Sequence, residues 1–476
     1  MKLLKGSASH DTQTPSALLD FMLRDWKPRS GKPPRPLKNA AVFAARRRAI
    51  SRMFPGELLI IPTGHEKVRA NDTHFRFRPS SDFYYLTGNL EPDCVLILDP
   101  QASGGHQDLL FVEPNSRGDS TFFTDRSRGE LWVGPRMGVS ASEAYFGVNR
   151  CHSLRELGKF LDEKRGHVRL LRSYSPDIDS RYPSTERDAE FATALSEMRL
   201  IKEKLEISEL QAAVDSTQRG FEDVIRTLKK AISERQVEGV FNLRARVEGN
   251  DVGYGTIAAS GSHACVLHWT RNDGEVRRGD LMLLDAGVEG NSLYTADVTR
   301  TLPISGKFTP DQRRLYDLVY QAQREALRAV KPGNDFMEPN RVAMRVLTEG
   351  LCELGILKVS AEEALREDRQ LYRRYTLHNV SHMLGIDVHD CAKARQESYN
   401  FGKLQPGMVL TVEPGLYFQP DDLTVPARYR GIGLRIEDDV VVTARGHKNL
   451  SEKIPTSSTE VEKWMARVWK SKQGGL

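Results

Sequence analysis

Four acidic residues sit where a folding chain rarely tolerates uncompensated carboxylates. In LMLLDAGVEGNSLYTADVTR, residues 281–300, an apolar run ends in Asp285, and Asp297 follows twelve positions later in a second strand-like stretch. Asp is a poor strand former and is costly to bury alone. The arrangement recurs. In RRGDLMLLDAG (277–287) and QPGMVLTVEPG (405–415), a Gly is followed six positions later by an acid and eight positions later by another Gly. The residues are Gly279, Asp285 and Gly287, then Gly407, Glu413 and Gly415. A further strand with its own acid follows each copy: Asp297 in the first, and Glu437, within GLRIEDDVVVT, in the second.

Internal self-similarity of this kind can report a duplication, although Gly-flanked apolar strands also recur by chance. If it is a duplication, two related halves bring four carboxylates toward a pseudo-twofold centre. Converging anions in a low-dielectric interior must be protonated or share cations, and metal ions answer that need. A nitrogen ligand would complete the set, and TLHNVSHMLGIDVHD offers His378, His382 and His389. A lone buried His is more often a hydrogen-bonded core residue, but three within twelve residues, interleaved with Met383, Leu384, Ile386 and Val388, describe a buried element aiming imidazoles into a cleft. His268, in ACVLHWT ahead of the first acidic strand, can join them.

The elements that must hold these residues are legible in outline. The segment MRLIKEKLEISELQAAVDSTQRGFEDVIRTLKKAI has apolar residues at helical spacing, enough for one or two helices. A further helix starts at Thr309 as N-cap, with Pro310 at its first position and Gln312 closing a capping box, and ends at Pro332-Gly333. With strand patterns around the acids, this half is α+β. Upstream, GELLIIPTG, DFYYLTGN, DCVLILDP and QDLLFVEP are expected as buried strands of an α/β domain, and the aromatic and basic cluster FRFRPSSDFYYLTG as packing. The Pro- and Ser-broken stretch YSPDIDSRYPSTERD marks the boundary. Residues 1–39 form a polar leader in which WKPRSGKPPRPLK is a connector and LLDFMLRDW one docked helical turn or two.

Length and composition bound the function. With 476 residues, 39% hydrophobic and 28% charged, the chain is expected to be a two-domain globular protein, and no apolar run reaches the length of a membrane span. The formal net charge of +5 is spread without dense basic blocks, which argues against nucleic-acid binding. Five scattered cysteines without a C-x-x-C point to a reducing compartment, and the N-terminus lacks a secretory pattern, so a cytoplasmic location is expected.

Taken together, Asp285, Asp297, His382, Glu413 and Glu437 resemble the five-ligand dinuclear centre of the aminopeptidase P (Xaa-Pro aminopeptidase) family, the proline-specific metallopeptidases of pita-bread fold. HNVSHMLGIDVHD, GMVLTVEPGLYF, YRGIGLRIEDDVVVT and DFYYLTGNLEPD carry the likeness, which runs from about residue 40 to 450. It implies an α/β N-terminal domain over 40–190, an α+β pita-bread catalytic domain over 191–455, and a C-terminal tail over 456–476. It further implies two divalent ions, most often Mn²⁺ with Zn²⁺ or Co²⁺ as alternatives, bridged by Asp297 and Glu437. His268, His378 and His389 would bind substrate and transition state, with Arg435 and Tyr417 in support. Family members tend to form homo-dimers or homo-tetramers. One departure is visible: the Asp285 to Asp297 interval is one residue longer than the family spacing, with Gly290-Asn291 a candidate for the extra turn residue.

Peptide hydrolysis needs a strong nucleophile and stabilisation of a tetrahedral oxyanion. Two cations roughly 3.5–4 Å apart supply both, by acidifying a bridging water and polarising the carbonyl, as two-metal sites in aminopeptidases do. Glu413 would act as ligand and proton shuttle, and His389 would stabilise the oxyanion. Two rivals share much of this pattern. An Xaa-Pro dipeptidase would keep all five ligands, whereas a non-catalytic binding protein on the same fold is expected to have lost some.

Overall fold

In the computed structural model, which describes residues 14–27, 34–164 and 166–471, the run LLIIP forms the strand Leu58–Pro62, buried along its whole length. The chain divides into two units, Met1–Leu195 and Ser196–Leu476, and the division falls within the helix Glu186–Met198.

In the first unit, five strands form one mixed sheet in the order Arg150–Ser153, His106–Val112, Val95–Pro100, Leu58–Pro62, Val168–Leu170. The central pairings are antiparallel and the two edge strands run parallel to their neighbours. Ile60, Ile97, Phe111 and Leu161 anchor its core. The expected strand DFYYLTGN is instead the helix Ser81–Thr87, and that reading is corrected. Its aromatic residues favour strands, but Ser80 accepts a hydrogen bond from the Phe83 amide and Gly88 closes the helix in the left-handed region, so the caps decide the local conformation. All seven helical residues are buried, and the Arg46 guanidinium lies 4.0 Å from the Tyr85 ring centre, a packing role. In the leader, Ser16–Met22 is helical and Trp26 meets Phe122 edge-on at 5.4 Å; residues 1–13 and 28–33 of it lie outside the described residues.

The second unit repeats one order of elements. Helices Lys204–Leu228 and Glu234–Glu248 pack on each other and lead into the antiparallel strands Ile257–Ser260, Leu281–Ala286 and Val298–Pro303. Helices Pro310–Ala329 and Glu338–Glu353 do the same before Val409–Val412, Asp438–Val442 and His447–Asn449, with Gly415–Tyr417 and Gly433–Arg435 paired beside them. Thr309 and Gln312 form the expected capping box with Pro310 at the first helical position, and Pro332-Gly333 follows the helix end at Ala329.

The glycines of the sequence repeat have matching roles. Gly279 and Gly407 turn into their strands at φ of 108° and 94°, a conformation costly for any side chain. A Cβ on Gly287 would meet the Ala296 carbonyl, and one on Gly415 would meet the Tyr417 hydroxyl and the Leu434 carbonyl. Between the first pair of acids, Val288-Glu289 pairs with Asp251-Val252, and the chain reverses over residues 290–294, where Gly290 N–H donates to Tyr294 O at 2.9 Å. That turn contains Gly290-Asn291.

The segment expected as a tail, 456–476, is helical over most of its described residues. Ser458–Lys470 is a helix capped by Ser457, burying Val461, Trp464, Met465 and Val468 and packing on Lys204–Leu228. Its apolar residues lie at i, i+3, i+4 and i+7, a helical stripe that a polar sequence average conceals.

Candidate metal centre

Strand ends deliver all four carboxylates. Asp285 lies near the end of Leu281–Ala286, and Asp297 immediately precedes Val298–Pro303, its antiparallel partner. Glu413 immediately follows Val409–Val412 and Glu437 immediately precedes Asp438–Val442; the Val412–Asp438 pairing sets the two glutamates side by side. His382 enters from a segment without regular structure that is fastened to the same strand: Thr411 N–H donates to His382 O at 3.0 Å, and Met383 bridges to Leu410.

Donor atoms of Asp297, His382 and Glu437 lie within 4.8 Å of one another. His382 Nε2 stands 3.3 Å from Asp297 Oδ2 and 3.5 Å from Glu413 Oε1. Its Nδ1 faces the Met383 carbonyl at 3.2 Å, which assigns the ring proton to Nδ1 and leaves Nε2 turned toward the acids. Asp285 joins through Tyr254, whose hydroxyl lies 2.6 Å from Asp285 Oδ1 and 2.5 Å from Asp297 Oδ1. The two halves are laced together here. Thr299 Oγ1 donates to Glu437 Oε2 at 2.7 Å, Glu437 N–H to Thr299 O at 3.1 Å, and Asp297 N–H to Asp439 Oδ2 at 3.0 Å.

Protein cations do not balance this cluster. Arg435 donates to Asp285 and to the Tyr417 hydroxyl, leaving three more acids with His382 as their cationic neighbour. Burial pushes the Glu437 carboxyl far above its ordinary range, with the charges of Asp297 and Glu413 adding to it. Burial likewise raises Glu413, to about 7, against the opposing pull of His382 and Arg435. For His382, burial alone would lower the value, but its hydrogen bond to Asp297 and the charge of Glu413 outweigh that and lift it to about 9. Burial keeps the Tyr254 phenol protonated, and the neighbouring carboxylates reinforce it. Four carboxylate groups and one imidazole, with too little positive charge of their own, are the donor set of a divalent-cation site rich in oxygen, and the residues fit such a group.

A second chain of hydrogen bonds lies beside the acids. Arg435 donates to the Tyr417 hydroxyl oxygen at 2.8 Å, that hydroxyl meets His378 Nε2 at 2.8 Å, and His378 Nδ1 lies 2.9 Å from the Asn379 carbonyl. Burial, then the Arg435 charge, lowers His378 to about 4, which leaves the imidazole neutral. The cavity above the acids is about 700 Å³ and is lined by nine of the ten residues singled out in the sequence. These are Asp285, Asp297, His382, Glu413, Glu437, His268, His378, His389 and Arg435; Tyr417, the tenth, stands behind them bonded to His378 and Arg435. His389 is exposed, with its ring 4.4 Å from that of His382, and His268 is exposed at the cavity wall. Tyr254 escaped the sequence reading. Its only signal is an aromatic residue between two glycines in VGYGT, and that pattern says nothing about carboxylates.

Comparison with known proteins agrees with this geometry. The profile of Metallopeptidase family M24 matches residues 208–444, and that of the aminopeptidase P N-terminal domain matches residues 43–169. Xaa-Pro aminopeptidase 1 of Streptomyces coelicolor is 52% identical over 438 residues, covering 91% of this chain and 88% of the relative. Xaa-Pro aminopeptidase of Escherichia coli is 35% identical over 450 residues, covering 90% and 98%. Among solved structures, aminopeptidase P from E. coli with the inhibitor Pro-Leu matches with a TM-score of 0.80 at 32% identity, covering 91% of this chain and 100% of that one. The four acids and their histidine thus lie in a chain that belongs to metallopeptidase family M24, among its aminopeptidase P members, and is a hydrolase with the pita-bread fold.

Proposed function

We propose that the protein removes the N-terminal residue from peptides with proline in second position, using two divalent metal ions held by Asp285, Asp297, His382, Glu413 and Glu437. The observation that carries the proposal is the convergence of Asp297, His382 and Glu437 donor atoms within 4.8 Å inside a cavity open to substrate. The names of the relatives support the aminopeptidase reading over the dipeptidase one. A non-catalytic role would predict lost ligands, and all five are present. Asp297 and Glu437 would help hold the ions in this reading, and the oxygen-rich donor set favours Mn²⁺.

When bound, the metal pair activates a water and polarises the scissile carbonyl. The chain's own groups handle protons and orientation. Glu413 takes the proton of the attacking water and passes it to the leaving prolyl nitrogen. His389 and His268, at the cavity wall, hold the substrate and the developing oxyanion. Neutral His378, fixed by Tyr417, lies beside Glu413, with its Nδ1 3.6 Å from Glu413 Oε2. The imide-like X-Pro bond has no N–H, so its cleft must accept a tertiary amide without a donor. All five cysteines are free thiols, which supports a cytoplasmic setting; among the described residues no helix is long and apolar enough to cross a membrane.

The test compares turnover of an X-Pro-Y tripeptide with that of an X-Pro dipeptide, with chelator and after Mn²⁺ restoration. Faster cleavage of the tripeptide, lost with chelator and regained with Mn²⁺, is expected. Preference for the dipeptide would sink the assignment.

A further inference from the structure

We propose that Glu234, outside the catalytic cavity, is the positioning residue for His268, an inference that rests on the reading of His268 as a substrate-contacting group. Ser233 caps the helix Glu234–Glu248, so Glu234 is its first residue, where the helix dipole favours a carboxylate. Such a residue ordinarily faces water. Here it is 0% exposed.

Each of its oxygens accepts two hydrogen bonds from one segment of chain. Oε1 accepts from Ser260 N–H at 2.7 Å and lies 2.8 Å from His263 Nδ1; Oε2 accepts from Trp269 Nε1 at 2.8 Å and from Gly274 N–H at 2.7 Å. Four donors saturate an ionised carboxylate, and none of the four is Lys or Arg. The donors span residues 260–274, and His268 lies among them. Past Ser260, the last residue of the strand Ile257–Ser260, this segment has one short turn of 3₁₀ helix, Gly261–Cys265, and no named strand, so the carboxylate does the gathering that a ladder would do elsewhere. The His263 ring stacks on Trp269 with centres 3.9 Å apart, joining two of the donors into one plate. Gly274 completes the fit, since a Cβ there would come within 2.8 Å of Glu234 Oε2 and 2.6 Å of His263 Cε1.

His268 itself is exposed, and among the described residues no side-chain hydrogen bond holds its imidazole. Its bonded anchor is the backbone carbonyl, which accepts from Thr270 N–H at 3.0 Å. The place of the ring in the cavity is therefore set by the backbone at 267–270, and Trp269, the next residue, is pinned to Glu234. Ser260 connects the same carboxylate to the sheet that carries Asp285, through the pairing of Ile257 with Asp285. Glu234 thus fixes His268 relative to a metal-binding acid without lining the cavity.

The test is a double-mutant cycle with Glu234→Gln and His268→Ala, on the metal-loaded enzyme with an X-Pro-Y tripeptide. A glutamine amide must turn its NH₂ toward two N–H donors and cannot satisfy all four. We expect kcat to fall about tenfold in Glu234→Gln with metal content unchanged and KM moving less, and no further fall when the change is made in the His268→Ala background. Hydrogen exchange should show lost protection at the Ser260 and Gly274 amides. Trp269→Phe, which removes one donor and keeps the stacked ring, serves if Glu234→Gln does not fold; it should show a smaller loss, again absent without His268. An equal loss in both backgrounds overturns the inference and leaves the proposed function standing. Full activity of His268→Ala overturns the reading of His268 and the inference with it.

Discussion

His378 and Arg435 meet on a single oxygen, the hydroxyl of Tyr417, 2.8 Å from each. Arg435 supplies a donor to that oxygen, so the phenolic hydrogen is free for His378 Nε2, and the His378 proton is spent on the Asn379 carbonyl. Tyr417→Phe removes the link and no ligand. We expect kcat on an X-Pro-Y peptide to fall about tenfold, the worth of a hydrogen bond or two, with metal content retained. Steady-state kinetics with metal analysis checks this; lost metal with unchanged turnover per bound ion would contradict it.

Asp297→Asn removes a carboxylate that faces His382 and shares Tyr254 with Asp285. Metal-dependent cleavage should disappear. Because the metal-free cluster repels itself, the variant without metal should be no less stable than the parent without metal. Mn²⁺ is expected to stabilise the parent by about 2.7 kcal/mol at a hundredfold excess over Kd, and the resulting rise in melting temperature should be absent in the variant. Thermal scans with and without Mn²⁺ read both effects.

His389→Ala touches an exposed ring that stands nearly perpendicular to His382 at 4.4 Å. Turnover should fall about ten- to a thousandfold, as for the loss of an oxyanion-stabilising donor, while metal occupancy stays near that of the parent. Unchanged turnover would refute its role.

Asp390 fastens the histidine segment from below. Lys202 Nζ donates to its Oδ2 at 2.9 Å and Arg199 Nε to its Oδ1 at 3.1 Å, while its amide reaches the Met383 carbonyl at 2.9 Å. Burial would raise the carboxyl, but Lys202 and Arg199 hold it below its ordinary value of 3.8. A depressed carboxylate stabilises the fold above the unfolded value and loses that contribution as the pH falls through its own. Asp390→Asn, which leaves Lys202 buried with a neutral amide, should cost about 3–5 kcal/mol near pH 7. The gap should hold down to about pH 5 and close below 3.8, as urea unfolding across pH will show.

Trp464→Ala should destabilise the second unit by about 3–5 kcal/mol, because the side chain is 1% exposed in the helix Ser458–Lys470. Urea unfolding measures it. A change under about 1 kcal/mol would mean that this helix adds little to the stability of the unit.

The candidate site was readable because its residues break local rules. Asp285 and Asp297 stand at strands that their own propensities oppose, and three histidines crowd one apolar stretch; such conflicts are settled only by tertiary structure, so they stand out in a sequence. Tyr254 breaks no rule. It reaches Asp285 and Asp297 only because Gly253 N–H is bonded to the Gly287 carbonyl, a pairing between distant segments. The aromatic helix Ser81–Thr87 was misread for the opposite reason: strand propensity was visible residue by residue, while the decision lay with Ser80 and Gly88 at its ends. In the C-terminal helix, Val461, Trp464, Met465 and Val468 stand at helical spacing, but the charged residues between them mask the stripe.

The bonds that join Thr299 to Glu437 and Asp297 to Asp439 also order events on the ribosome. Asp285 and Asp297 emerge long before Glu437, so a nascent chain carries the first two acids of the cluster with nothing to complete it. The four carboxylates can meet only after the strand Asp438–Val442 has been made, so the site closes as a late step of folding.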